Sequence, residues 1–143
     1  MRMSDPFHLP DFTHTDQHGM ANVPGEAEIA ELRAWFVAIG RPLLVLGPVD
    51  VLSGYRSRSV NITVGGSKNS QHVEGKAVDL TVAGKTLKEV FNYIFMNLRF
   101  DQLIYEFDRW IHVSYDSAGG RAVSLRATKV SGEIVYSPQG KFT

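Results

Sequence analysis

Cysteine is absent from the 143 residues. That excludes disulfides, thiolate metal sites and a cysteine nucleophile, so any metal here must be held by His, Asp or Glu. Surplus charge is absent too, because fifteen basic and fifteen acidic residues cancel. A balanced chain exerts no broad pull on nucleic acid or on an anionic membrane, and no basic stripe interleaves with aromatics. Neither partner is expected. Long apolar runs are missing as well. The longest are broken by Gly, Pro or charge, which leaves no spanning helix and no membrane insertion. The opening MRMSDPFHLPDF has no continuous apolar stretch and no small-residue cleavage site, so it does not read as a secretory signal. What is present, 43% apolar and 21% charged residues, is ordinary for a globular protein, and the length suits one domain.

Residues 1–24 are polar, with three prolines and three histidines, and read as an N-terminal arm or irregular wrap. His14 and His18 flank Asp16 in this arm, but nothing else there suggests a ligand, so a polar arm is the plainer reading. The domain proper spans residues 25–143. Ile29, Leu32, Phe36 and Ile39 fall on one side of a helix over Glu26–Ile39, which Gly40 and Pro42 are expected to end. Leu43–Leu46 reads as extended, and Val49–Leu52 as a strand. Ser53–Ser70, rich in Gly, Ser and Asn, is expected to be loop with a short helix near Ser57–Ile62. AVDLTV at Ala77–Val82 alternates as a strand. Thr86 and Glu89 form a capping-box pattern ahead of Leu87, Val90, Phe91, Ile94 and Leu98 at helical spacing. Leu103–Phe107 and Trp110–Tyr115 read as strands, and Ala122–Ala127 with Glu133–Tyr136 as a hairpin turning near Ser131-Gly132. Helices and strands do not alternate strictly. The expected class is therefore α+β, with a small antiparallel sheet flanked by helices.

Three segments concentrate chemistry: SGYRS (Ser53–Ser57), SQHVEGKAVD (Ser70–Asp79) and WIHVS (Trp110–Ser114). A catalytic zinc takes three protein ligands and keeps a fourth position open. His72 and Asp79 are separated by a stretch containing Gly75, long enough for a loop followed by a strand that returns both side chains to one point. His112, on a strand-like segment, is placed to supply a third. Two nitrogens and a carboxylate leave the ion net positive, which favours Lewis acidity. Taken singly, each histidine is as well explained as a hydrogen-bonded core residue, and Asp79 as a turn or cap residue.

Together the segments resemble the family of zinc D-Ala-D-Ala carboxypeptidases, D,D-dipeptidases and phage L-alanyl-D-glutamate endopeptidases. Its signature of SGYRS, then SxHxxGxAxD, then a Trp-x-His strand is met in order, with Ser70, His72, Gly75, Ala77 and Asp79 at the fixed positions. The resemblance covers about Ile29–Tyr115. It implies the α+β fold shared with the Hedgehog signalling domain, Zn2+ on His72, Asp79 and His112, and Arg56 as the arginine that binds substrate and steadies the oxyanion. Guanidinium suits that task because it is always charged and offers a fork of donors. Ser70 and Tyr55 are further candidates for the site. Trp110 and Tyr105 read as core or pocket wall.

The resemblance breaks at one place. Where the dipeptidase and endopeptidase branches carry an acid three residues before the last histidine, this chain has Arg109, which cannot take a proton. Two acids are near. On a regular strand Asp108 shares the face of His112, with Glu106 further along, and a turn between Phe107 and Trp110 would break that parity. Resembling phage and prophage sequences carry a Glu in an LIYEF-like context, which makes Glu106 the preferred base and Asp108 the second candidate. Alternatively, both acids simply pair with Arg109, Arg121 or Arg126. The implied activity is hydrolysis of a peptidoglycan stem-peptide amide, D-Ala-D-Ala or L-Ala-D-Glu, by a monomer. It would be phage-associated, or held in the cytoplasm before release, and would act at the bacterial cell wall. The competing reading is a zinc-containing, non-catalytic wall-binding or phage structural module.

Overall fold

The alternating AVDLTV run forms a strand, and the rest of the sheet assembles around it. After a 3-10 turn at Leu9–Phe12, the chain order is α1 (Glu26–Trp35), α2 (Arg41–Leu43), β1 (Val49–Ser53), α3 (Arg58–Thr63), β2 (Ala77–Val82), α4 (Leu87–Asn97), β3 (Gln102–Glu106), β4 (Trp110–Ser114), β5 (Val123–Val130) and β6 (Glu133–Pro138). The computed structural model describes Met1–Thr143. No helix is long and apolar enough to cross a membrane.

The class is α+β, but the sheet is neither small nor wholly antiparallel. It has six strands in the order β1-β2-β4-β3-β5-β6. β3 and β5 run parallel, from Gln102↔Val123 to Glu106↔Ala127. The cause lies between β4 and β5, where the chain does not reverse tightly. It returns along the start of β3, and Val123 N–H donates to the Asp101 carbonyl at 2.9 Å. The Asp101 carboxylate, in turn, accepts from Arg121 Nε at 2.9 Å and from Arg121 Nη2 at 2.8 Å. β5 therefore enters at the same end as β3. β5 and β6 form the expected hairpin, longer than the pattern indicated, with Ser131 and Gly132 at φ 52° and 83° in its two-residue turn.

One face of the sheet carries Val49, Val51, Val78, Leu80, Leu103, Ile111 and Val113, all fully buried. Leu32, Trp35, Phe36 and Ile39 from the first helical run and Val90, Phe91 and Ile94 from α4 join the same core. Trp35 adds a directed contact, donating Nε1–H to the Val113 carbonyl at 3.1 Å. The helical run does not stop at Gly40. A π-helical turn over Phe36–Gly40 leads into α2, and Leu43 is buried within it, so Leu43–Leu46 is helix end and turn in place of the expected extended segment. Pro42 follows directly on this π turn, whose last bond runs from Arg41 N–H to the Phe36 carbonyl. α4 starts at the Thr86–Glu89 capping box, worth about 1 kcal/mol.

The first 24 residues wrap the body. Met3 N–H donates to the Val49 carbonyl at 2.9 Å, and Val51 N–H to the Met1 carbonyl at 2.8 Å, closing the edge of β1. Met3 and Phe12 are 5% and 0% exposed and belong to the main core. His14 Nε2 lies 2.9 Å from the Val51 carbonyl oxygen, which gives it a structural partner.

Candidate metal centre

The other face of the sheet carries the polar residues. Asp79 on β2 pairs with His112 on β4, and His112 pairs with Ile104 on β3. Directly paired residues share a face, so Asp79 and His112 both project away from the apolar core. A register shift between Val51 and Ser53 re-aims β1, and Ser53 sits opposite Asp79. The segment from Gly54 to Lys76, including α3, then folds over this end of the sheet and delivers Arg56 and His72.

His72 is placed by backbone chemistry. Its N–H donates to Ser70 Oγ at 3.2 Å, within a turn whose Gly75 N–H donates to the His72 carbonyl. Gly75 has φ 75°, and a Cβ there would lie 2.5 Å from the Glu28 carbonyl oxygen of α1, so only glycine lets this loop press against the helix. The His72 ring donates Nδ1–H to the Gly54 carbonyl at 2.8 Å. That bond fixes the tautomer and leaves Nε2 as a free lone pair. Gly54 has no room for a side chain either, since a Cβ would stand 2.5 Å from the Phe12 carbonyl oxygen.

The three expected ligands meet. His72 Nε2 is 3.3 Å and His112 Nδ1 is 2.9 Å from Asp79 Oδ1. One ligand atom from each residue lies within 4.8 Å of the others. A tetrahedral ion with bonds of about 2.0–2.1 Å needs donor separations of roughly 3.3 Å, the same scale. The fit does not rest on spacing alone. His72 Nε2 is buried and has no hydrogen-bond partner, a costly arrangement that a bound cation would relieve. A nitrogen–nitrogen–carboxylate set suits zinc.

Electrostatics follow from this crowding. Burial opposes ionisation of Asp79, yet His72 and His112 beside it hold its carboxyl far below the usual carboxylate range. For His112, burial disfavours the charged ring, but the bond to Asp79 and the charges of Asp79 and Glu106 prevail and raise its pKa. Arg56 closes the far side of Asp79. It donates Nε–H to Ser53 Oγ at 3.0 Å, Nη1–H to Asn61 Oδ1 at 3.0 Å and Nη2–H to Asp79 Oδ2 at 3.4 Å. A guanidinium has five N–H groups, so two stay free for a ligand.

The two candidate bases separate cleanly. Glu106 Oε1 lies 3.8 Å from His112 Nδ1 and accepts Trp110 Nε1–H at 2.9 Å. Burial pushes its carboxyl up, and the Asp79 charge adds to this against the pull of His112. Asp108 does not reach the site. Phe107 and Asp108 have φ 57° and 56°, and Arg109 N–H donates to the Glu106 carbonyl at 2.9 Å, which makes a reverse turn of primed type. That turn breaks the strand parity behind the Asp108 candidacy. The Asp108 side chain is 69% exposed and faces Arg126 Nη2 at 3.5 Å. Arg109 is exposed on the same turn.

Ser70 and Tyr55 are also reassigned. Ser70 spends its hydroxyl on the His72 backbone, so it shapes the ligand loop. Tyr55 is 8% exposed, belongs to the core, and lines a cavity with Glu28, Glu31 and Lys76 on the α1 side. Sequence reasoning missed Asn61, Ser53 and the Gly54 carbonyl. Asn61 is 4% exposed and bridges Arg56 to the Ser67 carbonyl through Nδ2–H at 2.9 Å. Its only trace in the sequence is an amide five residues beyond Arg56, in the short helix expected near Ser57–Ile62.

Residues 7–114 match the family model described as Peptidase M15. A search of curated proteins returns no match. The matched span is well over half of the chain and takes in every residue of the His–Asp–His cluster, and on this ground the protein belongs to peptidase M15, a family of zinc-dependent metallopeptidases.

Proposed function

We propose that the protein hydrolyses an amide bond in bacterial peptidoglycan stem peptide, D-Ala-D-Ala or L-Ala-D-Glu. The observation that carries the catalytic reading is Glu106, a shielded carboxylate 3.8 Å from His112 Nδ1, on the side of the cluster away from Arg56. Zinc, when held by His72, Asp79 and His112, supplies Lewis acidity and lowers the pKa of a water. Glu106 takes a proton from the attacking water and passes it to the leaving amine. Arg56 turns its two free N–H groups toward the oxygen on which negative charge develops. A preorganised donor there is worth roughly 3–4 kcal/mol. Ser53 and Asn61 keep the guanidinium from swinging away.

One observation favours the other reading, a wall-binding module that keeps zinc without turnover: the acid expected at position 109 is an arginine. Purified peptidoglycan, incubated with the protein with and without chelator, distinguishes them. Newly released amino groups that disappear with chelator support the peptidase. Stoichiometric zinc with no release over several wall types supports the binding module.

A further inference from the structure

The matched family span ends at Ser114, yet the sheet continues through β5 and β6. These strands extend the face that carries the metal ligands. The pairing runs Trp110↔Glu106 between β4 and β3, Glu106↔Ala127 between β3 and β5, and Ala127↔Tyr136 between β5 and β6. Paired residues share a face, so Trp110, Glu106, Ala127 and Tyr136 form one row. The neighbouring row contains Asp79, His112, Ile104 and Leu125. Across the sheet the chemistry is therefore ordered: Arg56 at one flank, the His–Asp–His cluster, Glu106, then an apolar and aromatic shelf.

We propose that Tyr136 is a substrate-contacting, specificity-determining residue, and that with Leu125 it flanks the site on the leaving-amine side. The proposal rests on the peptidase reading above. Glu106 returns its proton to the leaving amine, so that amine must lie near Glu106, and the residue bearing it lies toward β5 and β6. Adjacent strands are about 4.8 Å apart, which puts β6 roughly 10 Å from β3. The residue between them in this row is Ala127, a small side chain only 1% exposed, so no bulky group stands between Tyr136 and Glu106 along the sheet. The phenol feels that carboxylate: burial first, and the Glu106 charge second, raise its pKa. Tyr136 is nevertheless 52% exposed, so its ring remains available to a ligand. An aromatic body with a polar tip suits a peptide, offering apolar area and one hydrogen bond.

The test is calorimetric binding of a synthetic stem pentapeptide ending in D-Ala-D-Ala to zinc-loaded protein. Glu106→Gln serves as the background so that the peptide is not consumed. Adding Tyr136→Ala should weaken binding about tenfold, whereas Tyr136→Phe should keep most of it. Adding Val135→Ala, on the opposite face of β6, should change nothing and controls for damage to the hairpin. Equal affinity with Ala at 136, or equal weakening by Val135→Ala, overturns the proposal. If the peptide binds through Tyr136 but wild-type protein cuts neither bond, the peptidase reading fails and the leaving-amine assignment falls with it, leaving Tyr136 as a peptide contact alone. If zinc-loaded protein binds no peptide, both fail.

Discussion

Glu106 and Asp108 have the same charge and stand two residues apart, yet only one of them faces the metal ligands. Local chain geometry makes the difference. Phe107 and Asp108 both occupy left-handed backbone, so the alternation that holds along β3 ends at Glu106. Sequence parity alone could not show this, because Phe-Asp lacks the Asn-Gly or Asp-Gly signal of such a turn. The metal ligands were legible for the opposite reason: His72 and Asp79 sit in a spaced motif with Gly75 where the chain must press against α1, and His112 follows in a Trp-x-His strand. Their supports were not legible, since Asn61, Ser53 and the Gly54 carbonyl become neighbours only when the loop closes. Glu106→Gln should lower kcat by about 10²–10⁴-fold while zinc content, measured by atomic emission, is unchanged. Asp108→Asn should keep kcat within about twofold, given its exposed position. Asn61→Ala should reduce kcat/KM by about tenfold through a looser Arg56, with zinc retained, in a steady-state assay.

At the scale of elements, the helices and hairpins were readable wherever a period or cap was strong. α4 follows its capping box, and the β5–β6 hairpin follows its Ser-Gly turn. The direction of β5 was not readable, because strand propensity carries no polarity. It is set by Asp101, a residue 2% exposed that binds Arg121 and also accepts Gln71 Nε2–H at 2.8 Å beside the ligand loop. Hydrogen bonds from Arg121, against the cost of burial, hold the Asp101 carboxyl well below the usual range. Its folded pKa is depressed, so its contribution to stability is present above the unfolded value of about 3.9 and fades as pH falls below that. Asp101→Asn should therefore cost about 2 kcal/mol at pH 7, read by urea denaturation, and the difference from wild type should shrink progressively below pH 4.

The whole molecule is one core with two sheet faces of different character. The helices and the N-terminal wrap seal one face, and the Gly54–Lys76 segment with the cluster covers part of the other. The wrap escaped a periodicity reading because Met3, Phe7 and Phe12 follow neither a strand nor a helix repeat, and their burial depends on β1 and α1 being in place. Phe12→Ala should cost about 3–5 kcal/mol, visible as a lower melting temperature despite its distance in sequence from every other core element. The claim that binds these scales is that Glu106 moves the proton beside a zinc held by His72, Asp79 and His112. It is tested most directly by mass analysis of peptidoglycan digested by wild-type protein and by Glu106→Gln, each carrying one zinc. The account predicts stem peptides cut by the wild type at a single bond type and essentially intact with Glu106→Gln. Full digestion by Glu106→Gln, or intact peptides with zinc-loaded wild type, would contradict it.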